Sequence, residues 1–256
     1  MTSVQFAVQQ PKFRTGNDVN NVPPGYTPTT ALGSDLYAYW EANDATTITQ
    51  TGNEVTEWRD KVAGLAAVPP STGARPIYEP TGFRGTAPGV SFDGVDDCLQ
   101  GSAATFPLGN TACELWVLAS NNSAVGVSTT VFSYGNGATV TTSVDATANN
   151  MFSASVGTGS SSVFFSLGNE YWTGPGVARL LIGPTSTTLT GNDRSALTQS
   201  FVSDKVGNRF RIGARPGGTP IRFLNGRVAA VLVTKPLAFD KASVLMSFLK
   251  ARAGVP

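Results

Sequence analysis

Short runs of β-branched and aromatic residues, fenced by Gly, Asn, Asp or Ser, recur along most of the chain. They fall at 36–42, 55–60, 74–78, 90–99, 111–119, 129–134, 149–156, 162–167, 177–183, 185–190, 209–213 and 227–233. Runs this short, spaced roughly 10–15 residues apart and closed by turn residues, predict an all-β sandwich. Polarity alternates within them: Val55, Glu57 and Arg59 alternate with Thr56, Trp58 and Asp60, as on a strand near a sheet edge. In 90–99, Val90 and Phe92 alternate with Ser91, Asp93-Gly94 reads as a tight turn, and Cys98-Leu99 begins a returning strand. Near the end the period changes. Val244, Leu245, Phe248 and Leu249 recur at helical spacing, with Asp240 as the expected N-cap and Gly254 as the closing residue. This predicts one short C-terminal helix laid on the sandwich.

Residues 1–30 break the pattern. Their apolar residues are scattered, and Pro11, Pro23, Pro24, Gly25 and Pro28 favour extended backbone. The expected organisation is an extended N-terminal arm at 1–30 and a sandwich at 31–256. Such an arm orders by lying across another protein, with Phe6, Phe13 and Tyr26 as its anchors; a plain disordered leader is the alternative.

Composition narrows the function. Charged residues make up 14% of the 256 and the net charge is +1. No basic block exists to neutralise phosphates, so nucleic acid is not expected as a partner. No apolar run approaches the roughly 18 residues of a membrane helix, and no membrane partner is expected. The chain has no histidine, which removes Ser-His-Asp and Cys-His catalysis, His-ligated zinc and the usual base near neutral pH. The start, Met1 to Phe6, has no basic stretch followed by an apolar one. Synthesis in a bacterial cytoplasm without a signal peptide is therefore expected. Cys98 and Cys113 then read as two reduced, half-buried thiols, with a disulfide formed after release as the alternative.

Three segments, in order, resemble laminin-G-like, concanavalin A-like jelly-roll domains common in phage and bacterial surface proteins. They are Leu36 to Trp40 running on to Asp60, then Ala74 to Tyr78 leading into Phe92-Asp93-Gly94-Val95-Asp96-Asp97, and finally 210–215 followed by 223–233 and the terminal helix. The resemblance covers about 34–254 and implies a concanavalin A-like β-sandwich, or jelly roll. It is weak for function, because the fold hosts lectins, adhesion modules, glycan hydrolases and inert structural domains. The Glu-x-Asp-x-x-Glu strand motif of family glucan hydrolases is absent. Glu41 with Asp44, and Glu54 with Glu57, are acidic pairs without that pattern. The tyrosine usual after the paired aspartates is replaced by Cys98.

Candidate chemistry lies in three places. Asp93, Asp96 and Asp97 form either a Ca²⁺ site or a self-capped turn whose other carboxylates face solvent or an arginine. No other cofactor is expected. Tyr134, Asn136, Asn169, Tyr171 and Trp172 read as loop-borne aromatics and amides suited to sugars, with Arg215 as a further candidate. Trp172 and Tyr171 as plugs at the end of the sandwich are the alternative, and Trp40, Trp58 and Trp116 are assigned to the core. No catalytic residue is assigned. The expectation is a non-enzymatic virion surface protein of a phage or phage-like particle: a head spike, fibre or tail-associated module. Its arm would contact other virion proteins and its sandwich host cell-surface polysaccharide. A homo-oligomer is expected, a trimer by preference. A capsid or tail decoration protein without glycan binding, and a glycan-degrading enzyme, are the alternatives.

Overall fold

The computed structural model describes residues 22–83, 85–107, 111–122, 129–136, 139–146, 152–157, 162–166, 175–192, 196–200, 209–215 and 222–254. After a short helix α1 (Pro28–Leu32) come β1 (Leu36–Glu41), β2 (Ile48–Thr51), β3 (Glu54–Arg59), β4 (Ala66–Ala67), β5 (Ile77–Phe83), β6 (Ala87–Asp93) and β7 (Leu99–Ser102). Next are β8 (Cys113–Asn121), β9 (Thr129–Asn136), β10 (Thr139–Ala146), β11 (Phe152–Gly157) and β12 (Ser162–Ser166). The chain continues through β13 (Gly176–Ile182), β14 (Thr187–Gly191), β15 (Leu197–Gln199), β16 (Arg209–Ile212) and β17 (Asn225–Thr234) to helix α2 (Phe239–Ala253).

These strands form the expected β-sandwich of two antiparallel sheets. The large sheet runs β15-β14-β13-β8-β17-β6-β5-β3-β2, and the small one β12-β11-β10-β9-β16-β7. At its centre, β8 pairs with β17 from Gly226 to Thr234. The other edge of β17 is shared: β6 takes Asn225 to Val228 and β1 takes Ala230 to Thr234. A register shift between Val228 and Ala230 in the β8 pairing marks the changeover.

Both faces of the large sheet's centre are covered. Toward the small sheet, Ala38, Trp40, Leu115, Val117, Val231 and Val233 meet Phe132, Val144, Phe210 and Ile212. Trp40 lies 4.7 Å from Phe210 between ring centroids, and Phe106 lies 5.6 Å from Tyr134. Toward the other side, Tyr39, Trp116, Leu118 and Leu232 meet Ala242, Leu245, Phe248 and Leu249 of α2. Alternation by strand period is therefore invisible in β8, where all nine positions are buried. Trp40, Trp58 and Trp116 are core residues, as expected. Cys98 and Cys113 are buried and not joined by a disulfide, and burial pushes Cys98 up to about 11.

A buried charge anchors α2. Glu114 is fully buried and accepts from Trp116 Nε1 at 2.9 Å, from the Leu237 amide at 3.0 Å and from Arg179. The Leu237 bond fixes the chain just before the helix. The expected N-cap is corrected here: α2 starts at Phe239 after Ala238, and Asp240 sits in the first turn, where its charge favours the helix N-terminus without capping it. Gly254 closes the helix in the left-handed conformation, as expected.

Only the last part of the expected arm, from residue 22 on, is described, and it is corrected. From Val22 the chain lies on its own domain, with Val22, Tyr26 and Leu32 packed in the α2 layer. The Tyr26 ring is 5.3 Å from Phe248, so Tyr26 anchors the segment internally. Thr27 caps α1 by accepting from the Thr30 amide, and Pro28 takes the first turn, where its missing N–H costs nothing. Phe6 and Phe13 lie outside the described residues.

Leu245→Ala removes a fully buried side chain from the sheet–helix layer and should lower stability by about 2–5 kcal/mol in denaturant unfolding. Phe239→Ser, at a position 71% exposed, should change it by less than about 0.5 kcal/mol.

Candidate functional site

The outer face of the small sheet is polar, and strand alternation makes it so. Ser133 stands between Phe132 and Tyr134 in β9, and Ser143 and Asp145 flank Val144 in β10. Ser153 separates Phe152 from Ala154 in β11, and Arg211 separates Phe210 from Ile212 in β16. The apolar members enter the core. The polar members fall in cross-strand rows, one running Gln100, Arg211, Ser133, Ser143 and the other Thr130, Asp145, Ser153.

The chain leaving β16 folds back over part of this face. Ser133 Oγ donates to Ala214 O at 2.7 Å, Arg211 Nη1 donates to Arg215 O at 3.0 Å, and the Thr130 amide donates to Arg222 O at 2.9 Å. Gly213 makes the reversal possible: its φ is +84°, and a Cβ there would sit 2.3 Å from the Phe92 ring. Asp145 lies under this crossing, fully buried, and accepts from Thr130 Oγ1 at 2.6 Å and Ser143 Oγ at 2.9 Å. Burial raises its pKa, opposed by those hydroxyls and by the charges of Arg215 and Arg222. Arg215 and Arg222 thus lie close enough to this buried carboxylate for their charges to act on it.

This arrangement sorts the expected sugar-binding residues. Tyr134 is corrected: it is a core residue in β9, 0% exposed, with its hydroxyl donating to Pro107 O, because its ring lies on the inward phase of the strand. Arg215 is half-buried beside the polar face, where burial and the like charge of Arg222 lower its pKa. Asn136 ends β9. Asn169, Tyr171 and Trp172 lie outside the described residues. Sequence reading passed over Gln100, Arg209 and Arg211 as a group; the alternation Arg209-Phe210-Arg211-Ile212 carried the signal.

The acidic turn forms as a self-capped loop. Asp93 Oδ1 accepts the amides of Val95, Asp96 and Asp97 at 2.8, 3.3 and 3.4 Å, and Asp97 Oδ2 accepts the Asp93 amide at 3.0 Å. A carboxylate oxygen from each of the three lies within 4.8 Å of the others. Such oxygens suit Ca²⁺ in kind, although Asp93 already spends one on the backbone. Asp97 is buried, and that burial, with the charge of Asp93, pushes it up to about 6. The other acidic pairs are spent on cations. Lys61 bridges Glu41 and Asp44 at 3.0 and 2.9 Å, Arg75 holds Glu54 at 3.1 Å, and Arg59 holds Glu57 at 2.6 Å.

No protein-family model matches the chain, and no curated protein matches it. Among solved structures it is similar to Trypanosoma rangeli sialidase in complex with 2,3-difluorosialic acid, with a TM-score of 0.64 at 12% identity over 91% of this chain and 37% of that one. The same organism's sialidase in complex with 2,3-difluoro-KDN gives 0.63 at 12% over 90% and 36%. Ruminococcus gnavus IT-sialidase CBM40, bound to α2,3-sialyllactose, gives 0.45 at 14% over 54% and 83%. The chain thus spans about a third of the length of the trypanosomal sialidases. At this identity the likeness establishes the β-sandwich fold, and it carries no link to a phage particle. It also corrects the expectation of a protein without enzymatic activity. The structures that share the fold over most of this chain are sialidases, which are glycoside hydrolases, so the missing histidine and missing Glu-x-Asp-x-x-Glu do not set the fold apart from enzymes.

The acidic turn gives a pH prediction. Asp97 holds its proton more tightly folded than unfolded, where the ordinary value is 3.8, so its contribution to stability falls as pH rises from about 4 through about 6. Asp97→Asn keeps an acceptor for the Asp93 amide and removes the charge. It should raise stability on the order of 1 kcal/mol at pH 7.5 and leave it near wild type at pH 4, measured by denaturant unfolding. Parallel pH profiles for the two proteins would exclude this coupling.

Proposed function

We propose that this chain is a glycan-recognising β-sandwich that binds polysaccharide on the outer face of its small sheet. The observation that carries the reading is the accessible part of that face, where Gln100 and Ser102 of β7 stand in register with Arg211 and Arg209 of β16; Ser133 and Ser143, farther in, are fully buried and bond to Ala214 and Asp145. Sugars offer many hydroxyls in a plane, and rigid strands present matching donors and acceptors at small entropic cost. The fold shared with part of a sialidase supports the same reading. Asn136, Asn169, Tyr171, Trp172 and Arg215 are its proposed loop contacts, the aromatic rings serving the apolar C–H faces of the sugar.

The finer reading is a surface protein of a phage or phage-like particle that meets host polysaccharide, with residues 1–21 held by another virion protein. Its support is the sequence of that segment and the hydroxyl-rich composition. Deletion of 1–21 should then abolish incorporation into particles; particles that keep the truncated protein would remove this part.

Applied to an array of neutral and acidic glycans, the full chain should retain a defined subset. Trp172→Ala should weaken that binding about tenfold or more without changing the melting temperature. Release of oligosaccharide from the retained glycans, followed by chromatography, reports whether recognition is coupled to hydrolysis. Retention of no glycan would sink the reading.

A further inference from the structure

Two arginines stand together on the outer face of the small sheet with no acidic partner among the described residues. Arg209 and Arg211 are two positions apart on β16, so they share a face, with Cα atoms about 7 Å apart. Their cross-strand neighbours are Ser102 and Gln100 on β7 and Gly135 and Ser133 on β9, none of them acidic. Like charges placed this closely on a sheet repel, and a guanidinium removed from water without a counter-charge costs stability. Arg211 is nevertheless only 4% exposed. Its Nε donates to Gln100 Oε1 at 3.2 Å and its Nη1 to Arg215 O, both neutral acceptors. Among the described residues Nη2 has no protein acceptor, and neither arginine has an ion pair.

Several other part-buried cations among the described residues meet carboxylates. Arg179 meets Glu114, Arg227 meets Glu79, Arg75 meets Glu54, and Lys61 meets Glu41. The Arg209–Arg211 pair departs from that habit. Gly135, opposite Arg209, carries no side chain, which leaves room beside the exposed guanidinium.

We infer that Arg209 and Arg211 form an anion-holding subsite, so that the glycan is an acidic one, carrying a carboxylate or sulfate on the sugar seated there. This rests on the glycan-binding reading above. Guanidinium donors lie in a plane and match carboxylate or sulfate oxygens two at a time. Arg211, braced by Gln100 and the backbone at Arg215, is the rigid member. Arg209 closes on the anion from the solvent side, while Gln100 and Ser102 remain for neighbouring sugar hydroxyls.

The test applies the full chain to an array of carboxylated, sulfated and neutral glycans, as wild type, Arg209→Gln, Arg211→Lys and the control Arg59→Gln. Wild type should retain acidic glycans over their neutral counterparts, with affinity falling as salt rises. The carboxylated and sulfated arms identify the anion. Arg209→Gln should weaken retention about tenfold with the melting temperature unchanged, and Arg211→Lys at least as much. Arg59→Gln, on the large sheet, should change neither. Arg209 is exposed, so its variant decides the matter if Arg211→Lys does not fold. Retention of neutral glycans alone, or acidic retention unchanged in both variants, would overturn the subsite and leave glycan binding standing. No retention of any glycan would overturn both.

Discussion

Everything in this fold depends on the ladder between β8 and β17 lying in a dry interior. With the small sheet on one side and α2 on the other, no water reaches the peptide groups of these strands. Each N–H and C=O must find its partner in the sheet, because an unpaired one would cost about 1–3 kcal/mol. Antiparallel pairing along the whole of β8, with β13 on its second edge, meets that demand. On β17 the same demand is met by two short strands, β6 and β1, placed end to end. Strands from the start, middle and end of the chain thus share one ladder.

Glu114 is a fully buried charge in this interior, and its three donors explain why it is tolerated. Two come from the large sheet and one from the Leu237 backbone, so the carboxylate ties the helix entry to the strands. Arg179 lies over the Trp116 ring at 5.1 Å, adding a contact between the cation and the aromatic face. A second buried acid stands on the small sheet, where Asp145 accepts from Thr130 Oγ1 and Ser143 Oγ. In both cases burying the acid becomes affordable only because neighbouring donors replace its water.

That recurrence sets off the face formed by β7, β16 and β9. Buried acids on both sheets are met by donors, yet among the described residues Arg209 and Arg211 have no acid opposite them, on rigid strands next to an edge. Structural economy would have placed a carboxylate opposite them. A surface that keeps its cations uncompensated, beside amide and hydroxyl groups, is better suited to a ligand that brings the negative charge. The fold shared with part of a sialidase is compatible with such a ligand, and the chain's own residues, not that likeness, argue for it.

The sequence alone determined the class of fold and the terminal helix, because both are written in local periodicity. The alternation of Phe210 with Arg211 and the 3.6-residue stripe of Leu245, Phe248 and Leu249 need no distant partner to be read. The self-capped alternative for Asp93 was legible for the same reason, since its bonds span four residues. Tertiary structure decided what depends on which face is covered. Tyr134 looked like a loop aromatic because Gly135 and Asn136 follow it, yet its phase on the strand places it in the core. Tyr26 looked like an anchor for another protein, yet Phe248, more than two hundred positions away, supplies its contact. Asp240 looked like the N-cap, yet α2 starts at Phe239, and Glu114, remote in sequence, accepts the Leu237 amide just before it. Local spacing sets which way a side chain points; only the assembled layers set what it meets there.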